Sequence, residues 1–178
     1  VTFSSHGGVI QSAELKEWHA SGDTINPLCL FRGDESEMAF TLITANNRIL
    51  QTNNLYFTPV KTDIPGRAIL RIPTTSEDAY IDFVYDLSDN YMVHLSIVPH
   101  NMQTELAQNV NSMEMHWRQL IPQHEQGRKF EERYARLQYM LVGGDMEELS
   151  ETKDDSKKES ARVKWIGYKD QFFSSVLI

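Results

Sequence analysis

Ala79-Tyr80-Ile81-Asp82-Phe83-Val84-Tyr85-Asp86-Leu87, Ser88-Asp89-Asn90, then Tyr91-Met92-Val93-His94-Leu95-Ser96-Ile97 is the stretch that decides the fold class. Ala79, Ile81, Phe83, Tyr85 and Leu87 alternate with Tyr80, Asp82, Val84 and Asp86. After the turn residues, Tyr91, Val93, Leu95 and Ile97 resume the same alternation. A period of two with one apolar face is the pattern of a half-buried strand. Asp and Asn between two such runs tolerate the left-handed backbone of a tight turn, so the stretch predicts an antiparallel hairpin. Phe83, Tyr85, Val93 and Leu95 are its expected core residues.

Working outward, Ala68, Leu70 and Ile72 alternate with Arg67, Ile69 and Arg71, and Met113, Met115, Trp117, Gln119 and Ile121 alternate before Pro122. Further strands are expected at 1–5, 9–15, 28–31, 38–43, 55–60 and 134–142. Gly7-Gly8 allows a turn with positive φ. His124 to Arg133 can hold one or two helical turns. Many short strands with little helix predict a mainly β antiparallel sandwich, built as one domain over residues 1–178. That length buries roughly 70% of the unfolded surface.

Asp145 to Ser160 breaks the pattern. Ten of its sixteen residues are charged, so it is expected to be a charged, mobile loop. Residues 163–178 then turn aromatic and apolar. Trp165, Tyr168 and Phe172 at i, i+3 and i+7 predict an amphipathic helix, followed by an extended segment. The chain begins at Val1 without Met and ends on Val176-Leu177-Ile178, as expected of a piece of a longer protein.

The net charge of −8 argues against a nucleic-acid partner, because phosphate contacts need clustered Lys and Arg. No apolar run approaches the ~18 residues of a membrane span. Cys29 is the only cysteine and reads as a small buried hydrophobe. His6, His19, His94, His100, His116 and His124 show no metal-ligand spacing, and His124-Glu125-Gln126-Gly127-Arg128 lacks the second His of a zinc-protease helix. Arg32-Gly33-Asp34 reads as a turn. Glu131-Glu132 and Asp154-Asp155 read as solvated surface, since neighbouring helical carboxylates do not face one another. No catalytic, cofactor-binding or metal site is expected from these residues, and no enzyme activity.

The terminal run Lys164-Trp165-Ile166-Gly167-Tyr168-Lys169-Asp170-Gln171-Phe172-Phe173-Ser174-Ser175-Val176-Leu177-Ile178 resembles the end of the large periplasmic domain of the YidC family of bacterial membrane protein insertases. Gly7-Gly8-Val9-Ile10 with Leu15, the hairpin containing Phe83 and Asp89-x-Tyr91-x-Val93-x-Leu95, and Phe130-Glu131-Glu132-Arg133-Tyr134 are similar to family segments in the same order. The resemblance implies a β-supersandwich similar to galactose mutarotase and carbohydrate-binding folds, with short helices near the C-terminus. It implies a place on the periplasmic side of the inner membrane, before a second transmembrane helix. It implies a non-catalytic scaffold or docking module that acts with the Sec translocon and nascent membrane proteins. Lys164, Trp165, Ile166, Tyr168, Lys169, Phe172 and Phe173 are then the candidate interaction and orientation residues, with both lysines near the bilayer. A carbohydrate-binding or mutarotase-like protein is the alternative, with Trp18, Tyr56 and Tyr80 as possible stacking residues and a peptide or sugar in a sandwich groove.

Overall fold

A computed structural model describes residues 1–178. Fourteen strands follow in chain order: β1 (Thr2–Phe3), β2 (Ile10–Leu15), β3 (Leu28–Arg32), β4 (Ser36–Ile43), β5 (Ile49–Gln51), β6 (Thr58–Val60), β7 (Arg67–Pro73), β8 (Tyr80–Leu87), β9 (Val93–His100), β10 (Met115–Gln119), β11 (Arg136–Leu141), β12 (Met146–Glu148), β13 (Val163–Lys169) and β14 (Ser174–Leu177). One α-helical turn, α1, spans Arg128–Glu131. The mainly antiparallel β class holds. The chain divides into two compact units, one of Val1, Ser12–Ser36 and Gln119–Ile178, the other of Thr2–Gln11 and Glu37–Arg118. A single unit over 1–178 was expected from length.

In the second unit the sheet β6-β7-β8-β9 pairs Leu70 with Phe83 and Phe83 with Ile97, while Ala68, Tyr85 and Leu95 form the next row. Their shared face meets Phe40 and Leu42 of β4, in the sheet β10-β4-β5. Phe83 is fully buried, with Phe40 edge-on at 5.5 Å and Phe57 at 4.9 Å between ring centroids. Two sheets closing on one apolar layer make this unit a sandwich. Val93 and Leu95 pack against that layer but are only half-buried.

The outer face explains the register. Arg71 forms a fork onto Asp82, its directly opposed partner, with Nε–Oδ1 at 2.7 Å and Nη2–Oδ2 at 2.8 Å. Arg67 does the same to Asp86 at 2.7 and 3.0 Å. Asp82 is buried although it was read as part of an outward polar face, because the Arg71 fork replaces its lost water. A slip of one residue would put these charges into the core.

The hairpin turn is longer than the alternation suggests. Ser88 N–H donates to Met92 O, Asn90 Oδ1 accepts from Met92 N–H, and the left-handed residue is Tyr91, with φ of 63°. Tyr91 therefore lies exposed in the turn rather than on the apolar face. Gly7 and Gly8 take φ of 82° and 67°, as their position between two strands requires. At Gly8 the constraint is also steric: a Cβ there would stand 2.4 Å from the Phe57 ring, and Gly8 O accepts the buried Tyr85 hydroxyl at 2.7 Å.

In the first unit β2 pairs with β3 from Ser12↔Arg32 to Leu15↔Leu28, with a bulge between Ala13 and Glu14. Cys29 is half-buried, its thiol donating to Phe31 O, and Gly33–Glu35 is a local 3-10 turn. The second sheet has the order β12-β11-β13-β14. Two expectations are corrected here. Part of the charged stretch 145–160 is strand β12, paired through Gln138↔Glu148 and Met140↔Met146, because backbone pairing does not depend on side-chain polarity. The residues at 163–169 form a strand, not an amphipathic helix. β13 is flanked on both sides, by β11 and β14, so sheet hydrogen bonds outweigh a helical spacing that a Gly already weakens.

Phe83→Ala should lower unfolding free energy by about 3–5 kcal/mol, read from urea denaturation. Lys157 bridges Glu147 at 2.8 Å and Glu159 at 3.2 Å with all three partly exposed. Lys157→Ala should change stability by less than about 1 kcal/mol in the same assay.

Candidate functional site

The sheet β12-β11-β13-β14 carries the residues singled out at the C-terminus. Gly167 of β13 stands between Gln138 of β11 and Val176 of β14 in one row. A Cβ on Gly167 would lie 3.1 Å from Val176 Cγ2 and 3.2 Å from Ser175 O, so the row closes tightly only because that side chain is missing. Trp165 and Lys169 flank Gly167 at i−2 and i+2 and therefore share its face. With Phe172, Phe173 and Asp170 this row lines a cavity of about 200 Å³. Its lining mixes Trp165, Phe172, Phe173 and Val176 with the polar residues Gln138, Lys169, Asp170, Gln171 and Ser174. Gln138 Nε2 donates to Glu148 Oε2 at 2.9 Å.

The strand geometry redistributes the candidate residues. Ile166 and Tyr168 lie on the face opposite Trp165 and Lys169, so Trp165 and Tyr168 share no aromatic face, and Lys164 falls at a register shift between Val163 and Trp165. Lys164 is exposed. Lys169 is half-buried and donates to Tyr134 O at 3.3 Å. Phe172 is 66% exposed, while Phe173 turns inward, edge-on to Trp18 and to His124 at 5.7 Å each.

Behind Phe173 lies a buried polar node. Asp170 opens the turn between β13 and β14, and its Oδ1 accepts N–H groups from Phe172 at 2.8 Å and Phe173 at 2.6 Å. Its Oδ2 meets His124 Nδ1 at 2.5 Å. His124 Nε2 meets Cys29 O at 2.9 Å. Both ring nitrogens face acceptors, so the imidazolium is the form that satisfies the two contacts. Glu131, at the end of α1, accepts the N–H of His124 at 2.8 Å and of Glu125 at 3.3 Å on Oε1, while Oε2 has no partner. His124, Glu131 and Asp170 are 6%, 4% and 3% exposed. Burial works against the imidazolium, but the Asp170 hydrogen bond, the Cys29 carbonyl and the two carboxylate charges outweigh it and hold His124 above its ordinary pKa. Burial likewise raises Asp170, yet His124 and the two backbone N–H groups hold it below the usual carboxylate range.

Sequence reasoning placed His124 in a failed motif and Glu131 on a solvated surface. The structure gathers both with Asp170, from positions 39 residues apart at the widest step between neighbours in sequence. The one local signal was Asp170 two residues before a Phe-Phe pair, an Asx-type turn. Outside this node, Asp82 and His100 approach to 3.7 Å, but Asp82 is already held by Arg71. Tyr80 carries both Arg71, at 3.5 Å, and the His100 ring, at 4.5 Å.

A family model described as the YidC periplasmic domain matches residues 1–178. The chain belongs to the YidC periplasmic domain family. Proteins named membrane protein insertase YidC are similar to it throughout its length. That of Parabacteroides distasonis is 48% identical over 98% of this chain and 27% of its own length. That of Azobacteroides pseudotrichonymphae is 46% identical over 100% and 29%. That of Porphyromonas gingivalis is 32% identical over 98% and 28%. The chain thus spans under a third of the relatives it matches. No solved structure matches it. The node and the Gly167 row therefore belong to a YidC periplasmic domain.

Asp170→Ala would leave His124 and two backbone N–H groups without their buried acceptor. It should destabilise the chain by about 3–5 kcal/mol, measured by urea denaturation. A loss under about 1 kcal/mol would show that the node adds little to folding.

Proposed function

We propose that this chain serves as the periplasmic domain of a membrane protein insertase, on the periplasmic side of the bacterial inner membrane. Within it the domain is a non-catalytic docking module for the Sec translocon and for nascent membrane proteins. The observation that carries the reading is the family match over the whole chain. No helix is long and apolar enough to cross a membrane, and the relatives are more than three times longer, so membrane insertion is assigned to the remainder of the protein.

The docking surface is placed on the β13–β14 hairpin. Phe172, Val176 and Ile178 are 66%, 49% and 79% exposed there. Lys164 is the free cation on that strand, and near an anionic bilayer one lysine gives only about 1 kcal/mol, enough to orient and too little to anchor. Lys169 is engaged by Tyr134. The non-catalytic assignment is supported by how the candidate acids and bases are occupied. Asp82 sits in an arginine fork, and His124, Asp170 and Glu131 are turned away from solvent. The sugar-binding alternative draws no support from Tyr80, whose ring carries Arg71 and His100, nor from Tyr56, which packs on His6 at 4.9 Å.

A photo-crosslinking amino acid at Phe172 of the full-length protein in cells should yield adducts with Sec components or nascent membrane proteins. Ile25, 85% exposed, is the control site. Equal yields at the two positions, or no adduct of either class from Phe172, would remove the docking assignment.

A further inference from the structure

Three buried side chains with no role in sheet pairing bring one ligating atom each within 4.8 Å of the others. We propose that His124, Asp170 and Glu131 form a binding site for a divalent cation of the zinc type. In each residue one polar atom is held by the backbone; of the other three, His124 Nδ1 and Asp170 Oδ2 meet each other at 2.5 Å and Glu131 Oε2 has no partner. Cys29 O holds Nε2 of His124, the N–H groups of Phe172 and Phe173 hold Oδ1 of Asp170, and those of His124 and Glu125 hold Oε1 of Glu131. The remaining Nδ1, Oδ2 and Oε2 form an imidazole and two-carboxylate donor set. A ligating imidazole that donates its second N–H to a backbone carbonyl is the usual outer-shell arrangement around a metal.

One feature of the node points to a cation. Glu131 Oε2 is buried and unpartnered, which leaves an uncompensated desolvation penalty. A divalent cation gives Oε2 a partner. On binding, the Nδ1 lone pair goes to the metal, and the proton shared with Oδ2 leaves to solvent. No electron is transferred.

The dimensions suit the ion. One ligand atom from each of the three residues lies within 4.8 Å of the others, and Nδ1 and Oδ2 are 2.5 Å apart. Zinc holds nitrogen and oxygen at about 2.0–2.2 Å, which sets tetrahedral donors about 3.3 Å apart, so Nδ1 and Oδ2 part by about 0.8 Å and the widest pair closes by up to about 1.5 Å. The Cys29 thiol is directed to Phe31 O and is not a ligand. The ion would join the segment at Cys29, the turn at α1 and the β13–β14 hairpin, so its role is to fix the hairpin to its own unit.

Zinc titration of the chelator-treated chain by calorimetry tests the assignment. One ion should bind per chain at micromolar zinc and raise the melting temperature. Glu131→Gln keeps an amide oxygen for the two N–H groups but loses the anionic donor. It should melt like the unsubstituted chain without zinc and bind zinc more than about tenfold more weakly. Zinc-edge X-ray absorption of the unsubstituted complex gives a reading independent of any variant, expected to show one imidazole, oxygen donors and no sulfur. No saturable binding at micromolar zinc, unchanged affinity in Glu131→Gln, or a shell containing sulfur or several imidazoles would each overturn the site.

Discussion

The cross-strand pairing of Arg71 with Asp82 and of Arg67 with Asp86 is the constraint on which the second unit depends. On the other face of the same strands Phe83 has no exposed surface and makes edge contacts with Phe40 and Phe57. These two facts are one. Because side chains alternate, the register that opposes the charges is also the register that sends Leu70, Phe83 and Ile97 inward together. Burial supplies the driving force, at roughly 25 cal/mol per Å² of apolar surface. The arginine forks supply selection among registers that would bury similar area.

The first unit is organised by close approach rather than by a large apolar layer. Gly167 lets β14 lie against β13 with Val176 at contact distance, and Asp170 then turns the chain between them. From that turn Phe173 reaches Trp18, and Asp170 reaches His124. The hairpin that exposes Phe172 and Ile178 is thereby held from behind by buried hydrogen bonds. A surface that must be apolar and still keep one orientation needs such a rigid backing, since exposed apolar contacts alone are non-directional.

Much of the fold was legible because strand periodicity is a local property. The alternations at 67–72 and 79–87 became β7 and β8, and 28–31, 38–43 and 134–142 became β3, β4 and β11. The turn after Leu87 is two residues longer than expected because Tyr91 takes the left-handed backbone and stays in the turn, closed by the Ser88–Met92 hydrogen bond. Strand β12 was missed because its charges hide a backbone that pairs regardless of them. The helix expected at Trp165 gives way to a strand in which Trp165 and Tyr168 fall on opposite faces and Phe172 lies beyond the end of β13, in the turn before β14. The pairing of β13 on both edges is not local information. Trp165, Lys169, Phe172 and Phe173 could be named from the sequence, but the faces on which they stand could not.

Residue order alone determined the β class, the hairpin core around Phe83, the glycine turn at Gly7-Gly8 and the family, because each rests on short-range pattern or on a run of identities. Tertiary structure decided the rest. It set Trp165 and Tyr168 on opposite faces of β13, divided the chain into two units and brought His124, Glu131 and Asp170 within reach of one another. Those outcomes depend on which strands become neighbours and on buried polar groups having to find partners wherever the fold brings them. No spacing in the chain encodes a contact made across 46 residues.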